Sequence, residues 1–107
     1  MKKQLIIYQD NNGKEPFVEW LESIKDKTIK ARIYTRLDRL ETENYGECKN
    51  LGKGLYELKL KFGKGYRIYF AEEKMIILLL LGGDKSLQDK DIQKARKLLQ
   101  KYKENNK

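Results

Sequence analysis

The feature that most constrains this chain is a pair of patterned arms around a glycine turn. Tyr56-Glu57-Leu58-Lys59-Leu60-Lys61-Phe62 alternates apolar and charged residues; Gly63-Lys64-Gly65 follows, and Tyr66-Arg67-Ile68-Tyr69-Phe70 resumes the pattern. A period of two marks a strand with one buried face, and the glycine-rich interval marks a hairpin turn. If those three residues are the whole loop, Phe62 pairs with Tyr66, Leu60 with Ile68 and Leu58 with Phe70, all apolar and on one side. A two-residue loop would set Leu60 against Arg67, because one residue of slip turns every side chain to the opposite face. The odd loop is therefore expected. On the other face it puts Lys61 opposite Arg67 and Lys59 opposite Tyr69, with Glu57 next along. Like charges directly opposite in a sheet are destabilising, so this arrangement points to function as readily as to an ordinary solvated face.

The remaining elements follow from periodicity. Leu5-Ile6-Ile7-Tyr8 reads as a first strand, closed by Asp10-Asn11-Asn12-Gly13. Phe17, Trp20, Leu21 and Ile24 fall on one helical face, with Pro16 in the first turn; Trp20 could be a stacking platform for a base, but at that spacing it reads as core. Ile29, Ile33, Leu37 and Leu40 stripe a second helix, close enough to the first to form a helical hairpin. Met75 to Leu81 is an unbroken apolar run, expected as a strand covered on both sides and ended by Gly82-Gly83. Ser86-Leu87-Gln88-Asp89 looks like a capping box opening a last helix that buries Ile92, Ala95, Leu99 and Tyr102. The expected fold is α+β: one small, twisted, mainly antiparallel sheet in the order β-α-α-β-β-β-α. It forms a single domain over residues 1–107, with 103–107 a frayed Lys/Asn tail.

Charge narrows the function. The net charge is +8, and it is unevenly placed. Lys49 to Arg67 carries six basic residues against one acid, and Lys94 to the end carries six against one, while the rest is neutral or slightly acidic. Basic charge concentrated in this way is the footprint of a polyanion partner, although the tail also reads as a solvated end. The chain has no His and one Cys, Cys48. That excludes an internal disulfide, fits a reducing cytosol, and leaves a zinc site or a Cys–His nucleophile without its ligands or base. No signal peptide or membrane-spanning run is visible, so a soluble cytoplasmic protein is expected.

Three segments, Gly54-Leu55-Tyr56-Glu57-Leu58-Lys59, Gly63 to Phe70, and Leu81-Gly82-Gly83-Asp84-Lys85-Ser86-Leu87-Gln88, resemble the RelE/ParE-superfamily toxins. The likeness is to the HigB-like "addiction module killer" branch related to phage proteins. Phe17-x-x-Trp20-Leu21 and Asp91-Ile92-x-x-Ala95 also match that branch, and the resemblance covers nearly the whole chain in order. It implies a RelE-like fold with a helical hairpin on one side of the sheet. It further implies cleavage of messenger RNA on the ribosome, and a cognate antitoxin encoded nearby, commonly a helix-turn-helix protein. Lys59 stands where the branch usually has Arg, and Gly63-Lys64-Gly65 where it usually has Gly-Pro-Gly. Lys keeps the charge but loses the bidentate fork. Some superfamily nucleases use a Tyr or His near the last helix; here there is no His, and the late Tyr102 lies on the buried stripe.

Metal-independent RNA cleavage uses the ribose 2′-OH as nucleophile, and the protein must align it, neutralise phosphoryl charge and move protons. Arg67 is the candidate for the scissile phosphate, with Lys59 beside it. Lys85, which corresponds by the resemblance to a basic position of the nuclease site, would close the site. The base is either Glu57 or a lysine of the cluster, since crowded cations release protons more readily. Tyr69 and Gln88 are candidates to orient the nucleotide, Gln88 also being a helix-start residue, and Lys49, Lys53, Lys61 and Lys64 to bind RNA. No metal or small-molecule cofactor is expected. Arg67→Ala is expected to abolish toxicity in a protein that stays folded and still binds its antitoxin. Two other functions fit the same sequence: a ParE-like poison of DNA gyrase, and a non-catalytic nucleic-acid-binding module.

Overall fold

The computed structural model describes residues 2–106. Its elements are β1 (Gln4–Ile7), α1 (Pro16–Ser23), α2 (Lys27–Glu41), β2 (Cys48–Gly52), β3 (Leu55–Leu60), β4 (Tyr66–Glu73), β5 (Ile76–Asp84), a 3-10 turn (Lys85–Leu87) and α3 (Gln88–Asn105). The class is α+β, with a five-stranded sheet in the order β1-β5-β4-β3-β2. β1 runs parallel to β5, and the other three pairings are antiparallel.

α1 and α2 cover one face of the sheet. Phe17 and Leu21 of α1, with Ile24 just past its end, pack with Ile33, Leu37 and Leu40 of α2 against Leu58, Leu60, Ile68 and Phe70. Asp26 starts α2 by accepting from the Thr28 and Ile29 N–H groups at 2.9 and 3.3 Å, which satisfies two of the donors a helix start leaves free. α3 covers the other face, where Ala95, Leu98 and Leu99 meet Leu55, Tyr69, Leu78 and Leu80. Sandwiched between these layers, β5 is buried from Ile77 to Gly83, as a both-sides-covered strand requires.

The hairpin corrects one expectation and keeps another. β3 and β4 pair Leu60 with Tyr66, Lys59 with Arg67, Leu58 with Ile68 and Glu57 with Tyr69. The register is thus two residues from the expected one, and the loop spans residues 61–65. Gly63 and Gly65 take positive φ (59° and 73°), and the Gly65 N–H closes on the Phe62 carbonyl at 3.2 Å. Phe62 leaves the ladder to lie against Tyr66, with the Arg32 guanidinium over its ring. A shift of two leaves every side chain on its original face, so the apolar pattern survives.

Four further differences from the expected elements follow. β2 was not anticipated; it is pinned from outside, its Leu51 carbonyl accepting from Arg96 of α3 at 2.6 Å. β5 does not stop at Gly82-Gly83 but continues to Asp84. The capping box is not formed: Asp84 caps the 3-10 turn by accepting from the Ser86 N–H at 2.9 Å and from the Ser86 hydroxyl, and α3 begins at Gln88 without a side-chain cap. α3 itself extends through Asn105, so residues 103–105 are helical.

At the far edge, Lys3, Tyr45 and Glu72 join the N-terminus to β4. The Glu72 carboxylate accepts from the Lys3 ammonium at 2.6 Å and from the Tyr45 hydroxyl. Burial works against ionisation of Glu72, but these two donors outweigh it and hold its carboxyl below the usual range. A group with a depressed folded pKa stabilises above its unfolded value and loses that contribution as pH falls through the folded one. Acidifying from pH 6 to pH 3 is therefore expected to cost the native protein on the order of 1 kcal/mol more than it costs Glu72→Gln. Urea unfolding at the two pH values measures the difference; equal losses would mean that the cluster contributes nothing.

Candidate active site

Arg67 occupies the second position of β4, between Lys59 of β3 and Gly83 of β5. Its Nη1 donates to the Gly65 carbonyl at 2.7 Å, and its Nε lies 3.7 Å from Glu57 Oε2. The Arg67 side chain is 11% exposed and that of Glu57 0%, so this is a buried ion pair with the guanidinium at its outer end. Gln88, in the first turn of α3, donates to the same Glu57 oxygen at 2.7 Å. The position that looked like a helix start is thus a tether between α3 and the pair.

The face expected to be solvated at Glu57 and Tyr69 is covered by α3. Tyr69 is 0% exposed, and its hydroxyl has no geometric hydrogen-bond partner among the described residues. Burial, and then the neighbouring Glu57 carboxylate, push its phenol well above the ordinary value. Tyr69 therefore packs beneath α3, where the sequence pattern had put it on a solvated face. Glu57 is likewise buried, with Arg67 and Gln88 as its partners.

The cations divide into groups. Lys85 flanks Gly65 on one side and Arg67 on the other: a β-carbon on Gly65 would lie 3.5 Å from Lys85 Cδ and 3.6 Å from Arg67 Nη1. Lys64 belongs to the same corner, since its charge and that of Arg67 help the two Ser86 hydrogen bonds hold the Asp84 carboxyl below the usual range. With half-buried Lys59 opposite Arg67, the corner gathers Lys59, Lys64, Arg67 and Lys85. Lys49 lies one strand further out, across from Glu57. Lys61 is exposed and turned to Glu47, 3.2 Å away. Lys53 sits in the β2–β3 turn at the far end of β3, where Lys103 reaches its carbonyl at 3.5 Å. Neither Lys61 nor Lys53 joins the corner. Cys48 is half-buried, and burial pushes its thiol up to about 11, which makes it a poor nucleophile.

Sequence reasoning missed the cleft beside this corner, an opening of about 440 Å³ whose lining includes Trp20, Lys64, Tyr66, Gly82, Gly83, Asp84 and Asp91. Its signal was present in Leu81-Gly82-Gly83-Asp84, read only as a strand end.

Residues 19–102 match the family described as Phage derived protein Gp49-like (DUF891). The chain belongs to that family. Gp49-like proteins form part of the RelE-like toxin–antitoxin group. A Haemophilus influenzae protein described only as an uncharacterized protein is 42% identical over 85 residues, which cover 78% of this chain and 86% of that relative. No solved structure matches the chain. The Gp49-like match takes in every residue of the cation corner as well as Trp20 and Asp91. No helix among the described residues is long and apolar enough to cross a membrane.

Proposed function

We propose that this Gp49-like protein is the toxin of a type II toxin–antitoxin pair, of the HigB-like branch, and that it cuts messenger RNA on the ribosome without a metal. The observation that carries this reading is the placement of three cations from separate elements, Arg67 and Lys85 beside Gly65 and Lys59 opposite Arg67 in the ladder. Opposing Lys59 and Arg67 in neighbouring strands is unfavourable for the fold, and among the described residues Glu57 pairs with Arg67 alone, whereas a phosphodiester passing into a pentavalent transition state needs concentrated, fixed positive charge.

In this mechanism the ribose 2′-oxygen attacks the adjacent phosphorus, the bond from phosphorus to the 5′-oxygen breaks, and a 2′,3′-cyclic phosphate and a free 5′-hydroxyl result. The Arg67 guanidinium meets the non-bridging oxygens, held in place by Glu57 behind it and the Gly65 carbonyl beside it. With Glu57 buried behind Arg67, Lys59 and Lys85 are the groups left beside the phosphate to move the two protons, one off the 2′-OH and one onto the departing 5′-oxygen. The same cations suit an antitoxin with an acidic covering segment. The working place of such a protein is the cytoplasm.

Mapping messenger RNA 5′ ends within minutes of inducing the gene in a bacterial host tests the proposal. New ends inside translated codons are expected, and blocking translation beforehand is expected to remove them. Intact messages with growth arrest and a DNA-damage response would replace this reading with a gyrase poison; neither cleavage nor arrest would replace it with a binding module.

A further inference from the structure

The pairing of β1 with β5 ends where Ile7 meets Leu79, its last bond running from the Tyr8 N–H to the Leu79 carbonyl at 2.9 Å. Among the described residues, β5 has a strand partner only in β4 from Leu80 to Asp84. The outer edge of this half-strand is open, and the 440 Å³ cleft runs along it. That volume is in the range of small-molecule sites, roughly 300–1,000 Å³.

Its walls are chemically distinct. On one side Trp20 and Tyr66 stand edge to face, with ring centroids 6.2 Å apart, beside Leu87, which is 49% exposed. The floor is the bare backbone of Gly82 and Gly83. On the other side Asp91 closes over Gly83, with Oδ2 buried and lacking any hydrogen-bond partner. Three aspartates line the cleft. Asp26 and Asp84 are committed to their caps, and Asp91 alone has no donor among the described residues.

We infer that this cleft is a nucleobase pocket that selects bases carrying hydrogen-bond donors, guanine above all, with Asp91 as the reading residue. The inference rests on the RNA-cleaving reading above and extends it to the base next to the cut phosphate. Unpaired RNA bases are recognised by stacking on aromatic side chains and by hydrogen bonds to their edges, and an aromatic wall facing an acceptor offers both. A carboxylate only accepts. Guanine presents two adjacent donors, N1–H and the 2-amino group, whereas adenine and cytosine present one amino group each. Uracil offers a single N–H between two carbonyls, which a carboxylate repels. The pocket also adjoins the phosphate corner. Lys64 lines it, and Gly83 pairs with Arg67 across the ladder, a Cα separation of about 5 Å, so one nucleotide can fill both places.

Trp20 is the sole tryptophan of the chain, so its fluorescence reports directly on the cleft. Titrating the intact protein with guanosine 3′-monophosphate is expected to quench it saturably, with uridine 3′-monophosphate about tenfold weaker. Asp91→Asn is expected to bring the two within about twofold, weakening the guanosine nucleotide and strengthening the uridine one, because the amide no longer repels a carbonyl; should that variant unfold, Asp91→Ser serves in its place. Equal quenching by both nucleotides, absence of saturation, or a preference that survives removal of the carboxylate would overturn the inference. Because the readout is binding, it is independent of cleavage: cut messages with unselective base binding would sink the pocket and leave the nuclease, and selective binding with uncut messages would do the reverse.

Discussion

Arg67→Ala is expected to lower RNA cleavage at least about a hundredfold and to abolish growth arrest on induction. The structure adds a second effect that the sequence did not contain. Removing the guanidinium leaves Glu57, with a fully buried side chain, without a countercharge and with Gln88 and Tyr69 as its polar neighbours, and breaking a buried ion pair costs about 3 kcal/mol. The single variant is therefore expected to lose both activity and stability, in contrast to the folded variant expected from the sequence. Glu57→Gln combined with Arg67→Ala separates the two, because a neutral amide in place of the carboxylate removes the unpaired charge. The double variant is expected to recover most of the urea midpoint and none of the cleavage. A folded double variant that still cuts messages would mean that Arg67 is not the phosphate ligand.

The second large effect concerns Gly82. A β-carbon there would lie 2.1 Å from Trp20 Cε3 and 2.3 Å from its Cδ2, deep inside contact distance of a ring already wedged against Phe17 and Tyr66. Gly82→Ala is expected to destabilise the protein by about 3 kcal/mol, the upper end for overpacking, and to shift the Trp20 emission. Gly83→Ala places its β-carbon 2.0 Å from Asp91 Oδ2, the end of a side chain able to rotate away, so about 1 kcal/mol is expected. Urea unfolding of both variants gives the order. A wild-type midpoint for Gly82→Ala would show that the indole does not lie on the strand.

Much of this was legible in the sequence, for reasons that also mark where legibility stopped. The helices of the hairpin announce themselves because Phe17, Leu21, Ile33, Leu37 and Leu40 repeat at helical spacing and all prove buried. The alternation around Gly63-Lys64-Gly65 fixes which face each residue takes, but a period of two determines register only to within two residues. The actual register depended on Phe62 finding Tyr66 and Arg32 outside the ladder. β2 was hidden because Cys48-Lys49-Asn50-Leu51-Gly52 has little strand character of its own and is made a strand by β3 and Arg96. The cluster at Lys59, Arg67 and Lys85 was named from charge and resemblance. The burial of Glu57 and Tyr69 was not, because α3 reaches across the sheet to cover a face whose pattern looked half polar. Asp91 and Trp20 belonged to motifs of the resemblance but lay far apart in sequence; only the open edge between them makes a cleft.

The parallel partnership of β1 with β5 has a consequence for the moment of synthesis. Gln4 finds its mate in Ile76, so the first strand waits while most of the chain is made, and long-range pairing of this kind forms late. The cation corner draws Lys59, Arg67 and Lys85 from the second half alone, and its buried Glu57 is tied down only when Gln88 arrives on the final helix. Completion of the corner therefore waits for α3, and until that helix docks Lys59 and Arg67 flank a Glu57 carboxylate that lacks its Gln88 donor.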